Sequence, residues 1–184
     1  MRIRFLGALV ALAAAALAAG CFPSMHAAPL LGVGLGAPRP NVMLPPDKTP
    51  AALVLAAGIA DSFVIQATGS VHEVPVRAWR QTLEAGFHSA FPSGSADRKL
   101  ELLDADLAFS PAAVSHGATA AVVATIRFKA RVLDASDRPL AAIAGTVEAR
   151  EAAVTPSEAA MTDNASKAVE ALYEKLTAEL LAKN

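Results

Sequence analysis

Between residues 122 and 132 the chain alternates. Val122, Ala124, Ile126, Phe128, Ala130 and Val132 fall on one parity, and Thr125, Arg127, Lys129 and Arg131 on the other. A period of two belongs to an extended strand with one dry face and one wet face. Such a strand cannot stand alone, because its apolar face needs a covering layer and its backbone needs neighbours. The first neighbour follows directly. Asp134-Ala135-Ser136-Asp137-Arg138-Pro139 supplies a turn, and Ile143, Gly145, Val147 and Ala149 continue one face of a returning strand. If Asp134 opposes Pro139, then Thr125 faces Glu148, Arg127 faces Thr146, and Lys129 and Arg131 face Ala144 and Ala142. Lys99 to Phe109 reads as a further strand, with Leu103, Ala105, Leu107 and Phe109 on one face. Ala51 to Ala57 is an apolar strand candidate that Phe63-Val64-Ile65 extends or flanks.

The covering layer is written in a different period. Val76, Trp79, Leu83, Phe87 and Ala90 recur at three- and four-residue steps, with Arg77, Arg80, Gln81, Glu84 and His88 on the other side. This spacing predicts an amphipathic helix that buries Trp79 and leaves Arg80 wet, with Pro75 in its first turn and Pro92-Ser93-Gly94 ending it. Thr155-Pro156-Ser157-Glu158 is a capping-box pattern, and Met161, Ala165, Val169, Leu172, Leu176 and Leu180 form one stripe behind it. The order β-α-β-β-β-α predicts an α+β fold. Its form is a two-layer sandwich of about four mostly antiparallel strands with two helices on one face, a single domain over residues 51–184. A chain of 184 residues, 54% of them hydrophobic, can fill such a core.

The apolar residues are unevenly spread. Residues 1–21 read MRIRFLGALVALAAAALAAGC, with Arg2 and Arg4 ahead of an uncharged run from Phe5 to Ala19. Such a run is short for a membrane span and suits the core of a signal peptide over residues 1–20. Its end, Leu17-Ala18-Ala19-Gly20-Cys21, resembles the bacterial lipobox, with Ala18 where a Leu is usual. The resemblance implies cleavage between Gly20 and Cys21 and acylation of Cys21 with palmitate-type chains. An ordinary secretory signal with a chance cysteine is the competing reading. Phe22, where an Asp would favour the inner membrane, implies outer-membrane sorting. Seven of the twelve prolines then fall between Phe22 and Pro50, with Gly32, Gly34 and Gly36 among them. No regular element suits that composition, so residues 21–50 read as the lipidated cysteine and a Pro/Gly-rich tether. Its reach is ~90 Å as a polyproline-type spacer and ~30 Å as a coil.

Several chemistries are disfavoured. With 16 Lys+Arg against 17 Asp+Glu and 5% aromatics, nothing suggests a nucleic-acid surface. One cysteine makes neither an intramolecular disulfide nor a multi-thiolate metal site. His26, His72, His88 and His116 have no metal-ligand spacing, and no Gly-x-Ser-x-Gly elbow occurs; Ser93 sits in a helix-stopping loop. Asp104 and Asp106 share a strand face as solvated carboxylates rather than a catalytic pair, while Asp134 and Asp137 shape their turn rather than bind calcium. No catalytic residue, cofactor or metal site is expected. The candidate docking face is the basic row Arg127, Lys129 and Arg131, set over small residues. It reads either as a solvated surface or as a face for an acidic partner or lipid headgroup.

A lipobox, a Pro-rich tether and a small strand–helix–three-strand–helix domain resemble the small envelope lipoproteins of Gram-negative bacteria. These include the lipopolysaccharide-assembly lipoprotein, the YajG-type lipoproteins and the auxiliary lipoproteins of lipid-transporting ABC systems. The resemblance is specific only at residues 17–21. It implies a non-catalytic accessory or assembly factor for an outer-membrane or lipid-transport complex, lipid-anchored and facing the periplasm, with an envelope protein as partner. A periplasmic lipid- or ligand-binding module is the alternative, and a periplasmic enzyme the third reading.

Overall fold

The computed structural model describes residues 44–66, 73–92, 94, 96–112, 121–152 and 158–182. After a 3-10 turn at Pro46–Lys48 come β1 (Pro50–Leu55), β2 (Phe63–Gln66), β3 (Glu73–Val76), α1 (Trp79–Ala90), β4 (Ala96–Ala112), β5 (Ala121–Leu133), β6 (Pro139–Ala152) and α2 (Glu158–Ala182). The main sheet has the order β1-β4-β5-β6. β4, β5 and β6 run antiparallel, and β1 lies parallel to the first half of β4. The fold is α+β, with the helices packed on one face of a mostly antiparallel sheet. α2 lies over β5 and β6, and α1 packs against β1 and α2.

The alternation from 122 to 132 delivers the expected core: Ala124 and Ile126 have no exposed surface, and Phe128, Ala130 and Val132 are almost as dry. Val169, Leu172, Tyr173 and Leu176 meet them from α2. The two helices touch at Gly86, where an added Cβ would lie 2.6 Å from Tyr173 and 2.8 Å from Val169. Glycine there permits the close crossing. The Tyr173 hydroxyl donates to the Leu83 carbonyl at 2.6 Å and ties the helices together.

Four expectations are corrected. Phe63-Val64-Ile65 does not extend β1; it pairs with β3 in a separate two-stranded sheet. Pro75 and Val76 therefore end β3 instead of opening the helix, and in a two-stranded ribbon an edge position tolerates the missing proline N–H. α1 starts later, behind Ala78 in the left-handed region at φ 54°. Leu103 does not share a face with Ala105 and Leu107. The β4–β5 register shifts between Leu102 and Asp104, so Leu102 is fully buried while Leu103 is 40% exposed. An extra residue in a strand turns every later side chain to the other parity. Finally, Pro139 opposes Leu133 rather than Asp134, with an irregularity that restores the predicted pairing from Val132 onward.

The segment Leu44–Thr49, which the proline count assigns to the tether, buries Leu44 and Thr49. Gly94 does more than end a helix. A Cβ there would stand 2.3 Å from the Pro50 carbonyl oxygen and 2.5 Å from the Ala51 Cα. The loop thus crosses directly against the start of β1. The capping residues 155–157 lie outside the described residues.

Candidate docking face of the sheet

With the helices on one face, charge collects on the other. The side chains of β5 that point away from the core are Thr125, Arg127, Lys129 and Arg131, and the predicted pairing with β6 holds: Thr125 opposes Glu148, Arg127 Thr146, Lys129 Ala144 and Arg131 Ala142. Arg127 and Lys129 are exposed and Arg131 half-buried. β4 supplies what the sequence reading leaves out. Asp106 stands opposite Arg127, Asp104 opposite Lys129 and Glu101 opposite Arg131. The basic row is one half of a cross-strand ladder.

The contacts along the ladder are graded. Arg131 Nε donates to Glu101 Oε2 in a close ion pair, and Glu101 is the most shielded member, with 14% of its side chain exposed. That hydrogen bond raises the Arg131 pKa above its ordinary value; partial desolvation opposes the rise, and the carboxylate charge adds to it. Lys129 Nζ lies 3.8 Å from Asp104 Oδ2, a looser pairing between two exposed groups. Beyond the ladder, Lys99 Nζ reaches Asp137 Oδ1 at 2.7 Å and clips the β5–β6 turn to β4.

The turn itself is built by Asp134. Its Oδ1 accepts the Ser136 and Arg138 backbone N–H groups at 2.8 and 2.9 Å, and its Oδ2 accepts Arg138 Nε at 2.9 Å. The Arg138 N–H bond is the leading cause of a carboxyl pKa below the ordinary value; partial desolvation works against it, and the Ser136 N–H and the guanidinium reinforce it. Asp137 takes φ 59°, which an Asp side chain tolerates in a turn. Both aspartates shape the turn.

No family model matches the sequence, and no curated protein matches it. Solved structures similar to the chain include a Xanthomonas campestris protein described under the family DUF330. It has a TM-score of 0.49 and 21% identity, over 79% of this chain and 94% of that one. A minor lipoprotein from Acinetobacter baumannii has a TM-score of 0.43 and 12% identity, over 71% of this chain and 89% of its own. None of them supplies a functional residue at these identities.

Of the remaining sequence candidates, Gly20, Cys21, His26, His72, Ser93 and His116 lie outside the described residues. His88 is exposed on α1, edge-on to Phe87 at 5.6 Å. Among the described residues no group of three His, Cys, Asp or Glu could hold a metal ion, and no helix is long and apolar enough to cross a membrane. Sequence reasoning placed Asp104 and Asp106 on a wet strand face but missed Glu101 and the opposition of all three acids to the basic row. The available signal was three acids on one strand against three bases on another. Eight residues, 113–120, separate β4 from β5 in the sequence, too many to set their register by turn type.

Proposed function

We propose that this protein is an envelope lipoprotein, held by acyl chains on Cys21, whose domain works in the periplasm. It serves as a non-catalytic accessory or assembly factor for an outer-membrane or lipid-transport complex. The observation that carries the reading is Leu17-Ala18-Ala19-Gly20-Cys21 at the end of an uncharged run, followed at once by a proline-rich segment. Two or three acyl chains, at ~0.8 kcal/mol per buried methylene, hold a soluble domain at a bilayer for long periods. Without the signal segment's Arg2 and Arg4 the chain has 14 basic and 17 acidic residues, so attraction to anionic lipid is not the anchor.

The charge ladder supports a docking role for the open sheet face. Exposed pairs of this kind contribute little to stability, with a typical value of ~0–1 kcal/mol. They select partners instead, because adjacent rows of opposite charge penalise any surface that meets them out of register. Arg127, Lys129 and Arg131 are the cations of that pattern and Glu101, Asp104 and Asp106 its anions. Exchanging the two exposed pairs, with Arg127 and Lys129 changed to Asp and Asp106 and Asp104 changed to Lys, keeps opposite charges facing across the strands and inverts the pattern. It should abolish crosslinking to the envelope partner in native membranes while the chain stays folded and membrane-bound. Unaltered crosslinking in the exchanged chain would return the ladder to the status of a solvated surface.

A further inference from the structure

β6 is an edge strand of 14 residues, and β5 is its neighbour within the sheet. Natural edges are blunted by charge, proline or bulges, because their free N–H and C=O groups template further pairing. No proline interrupts this edge after Pro139, and its register with β5 is unbroken from Ala141 to Ala152, so neither a proline nor a bulge blunts the half that carries Glu148, Arg150 and Glu151.

The outward-facing groups can be assigned. Lys175 Nζ, reaching over Gly145 from α2, donates to the Thr146 carbonyl at 3.4 Å. The Asp134 N–H donates to the Arg138 carbonyl at 2.9 Å, so Asp134, Val132 and the alternate residues before them face β6; their partners Ala141, Ile143, Gly145 and Val147 face β5, and the Thr146 carbonyl points away from it. In an antiparallel strand the N–H and C=O of one residue point the same way and successive residues alternate. The backbone groups of Ala144, Thr146, Glu148 and Arg150 therefore face the open edge. Glu148 and Arg150 are exposed, two residues apart on the ladder face, and of opposite sign.

That combination is self-complementary. We propose that two copies of this chain associate through β6, antiparallel about a two-fold axis at Ala149, joining the two four-stranded sheets into one of eight strands. In this register each Glu148 stands opposite the other copy's Arg150, and each Thr146 opposite the other copy's Ala152. All of these residues belong to the parity whose backbone groups face outward, so hydrogen bonds and charge pairs form together. Ala149 faces its own copy across the axis with only a methyl group. The exposed contact of Lys175 with Thr146 lies toward the end of the paired segment, where it yields to a partner strand at small cost. The proposal concerns the domain's own edge and is independent of the anchor and of the open-face partner.

The test measures the protein mass of the detergent-solubilised full chain by light scattering with the detergent contribution separated, across a dilution series. The wild-type chain should be a dimer that dissociates on dilution. Glu148→Arg should weaken association by about tenfold or more, because two attractive cross-strand pairs become two repulsive ones. Arg150→Glu should do the same, and the double variant Glu148→Arg with Arg150→Glu should restore the dimer. That rescue also shows that neither single variant simply misfolds. A monomer at every concentration, or a dimer indifferent to the single reversals, overturns the proposal. So does failure of the double variant to recover.

Discussion

Trp79 and Arg80 are adjacent, and the helical period assigns them to opposite fates. Half of that assignment holds. Trp79 is 1% exposed, packs edge-on to Phe63 at 6.2 Å, and donates its indole N–H to the Ala105 carbonyl at 2.9 Å. Arg80 is not left to solvent. Its guanidinium donates to the carbonyls of Ala56 and Ile59 at 2.9 Å and of Leu55 at 3.1 Å, gathering the chain as it leaves β1. A wheel of side chains carries no information on orphan carbonyls in a distant loop, so this contact was illegible in sequence. Trp79→Ala should cost ~3–5 kcal/mol. Arg80→Ala should cost ~1.5–3 kcal/mol, because charge-assisted bonds to partly buried carbonyls are lost. Gln81→Ala, on the exposed side, should stay within ~0.5 kcal/mol. Denaturant midpoints in that order check the assignment, and equal midpoints for Arg80→Ala and Gln81→Ala would refute the role given to Arg80. Tyr173 adds a pH dependence. Burial, with a smaller contribution from the Glu84 charge, raises its pKa well above the phenol's ordinary value. The unfolded chain ionises this group near pH 10 and the folded chain does not, so its contribution is intact below that pH and lost as pH rises. Stability should fall above about pH 10 by up to ~1.4 kcal/mol per pH unit from this group. Tyr173→Phe should remove that component of the slope.

At the scale of elements, legibility followed the length of the connections. The β5–β6 hairpin could be registered because a short turn, five residues from Asp134 to Arg138, joins two alternating runs. The irregularity beside Pro139 offsets the one-residue error in the predicted turn, and the pairings of Thr125, Arg127, Lys129 and Arg131 came out as predicted. The ladder with β4 could not, since residues 113–120 intervene and no turn chemistry fixes the offset. β2 and β3, at four residues each, are too short for periodicity to distinguish them from loops. The bulge at Leu103 is the instructive failure. Strict alternation from Leu103 to Phe109 is in the sequence, but so are Leu100 and Leu102, and only the pairing with β5 decides which parity is inward at each end. Leu102→Ala should cost ~2–5 kcal/mol as a core truncation. Leu103→Ala should stay within ~0.5 kcal/mol as a surface change. Equal losses for the two in chemical denaturation would place the bulge elsewhere.

The whole molecule combines a domain that carries a charge ladder on one sheet face with an N-terminal segment that resembles a lipoprotein signal. The fold class was legible because both faces of the central strand and both helical stripes agreed on one buried layer. Function is less legible, because the ladder that ranks as the docking surface consists of residue types common on any wet strand, and only their register makes a pattern. The proposed anchor would make the role positional: residues 22–43, reaching ~70 Å as a polyproline-type spacer, would set the height at which that face meets a partner and raise its effective concentration there. The central claim is that Cys21 is where the mature chain begins and where it is held. Mass spectrometry of the N-terminal peptide from the protein purified out of native membranes tests it directly. The account predicts a peptide starting at Cys21 and carrying a diacylglycerol thioether and an N-acyl chain. A mature chain that starts at any other residue, or at an unmodified Cys21, would contradict it.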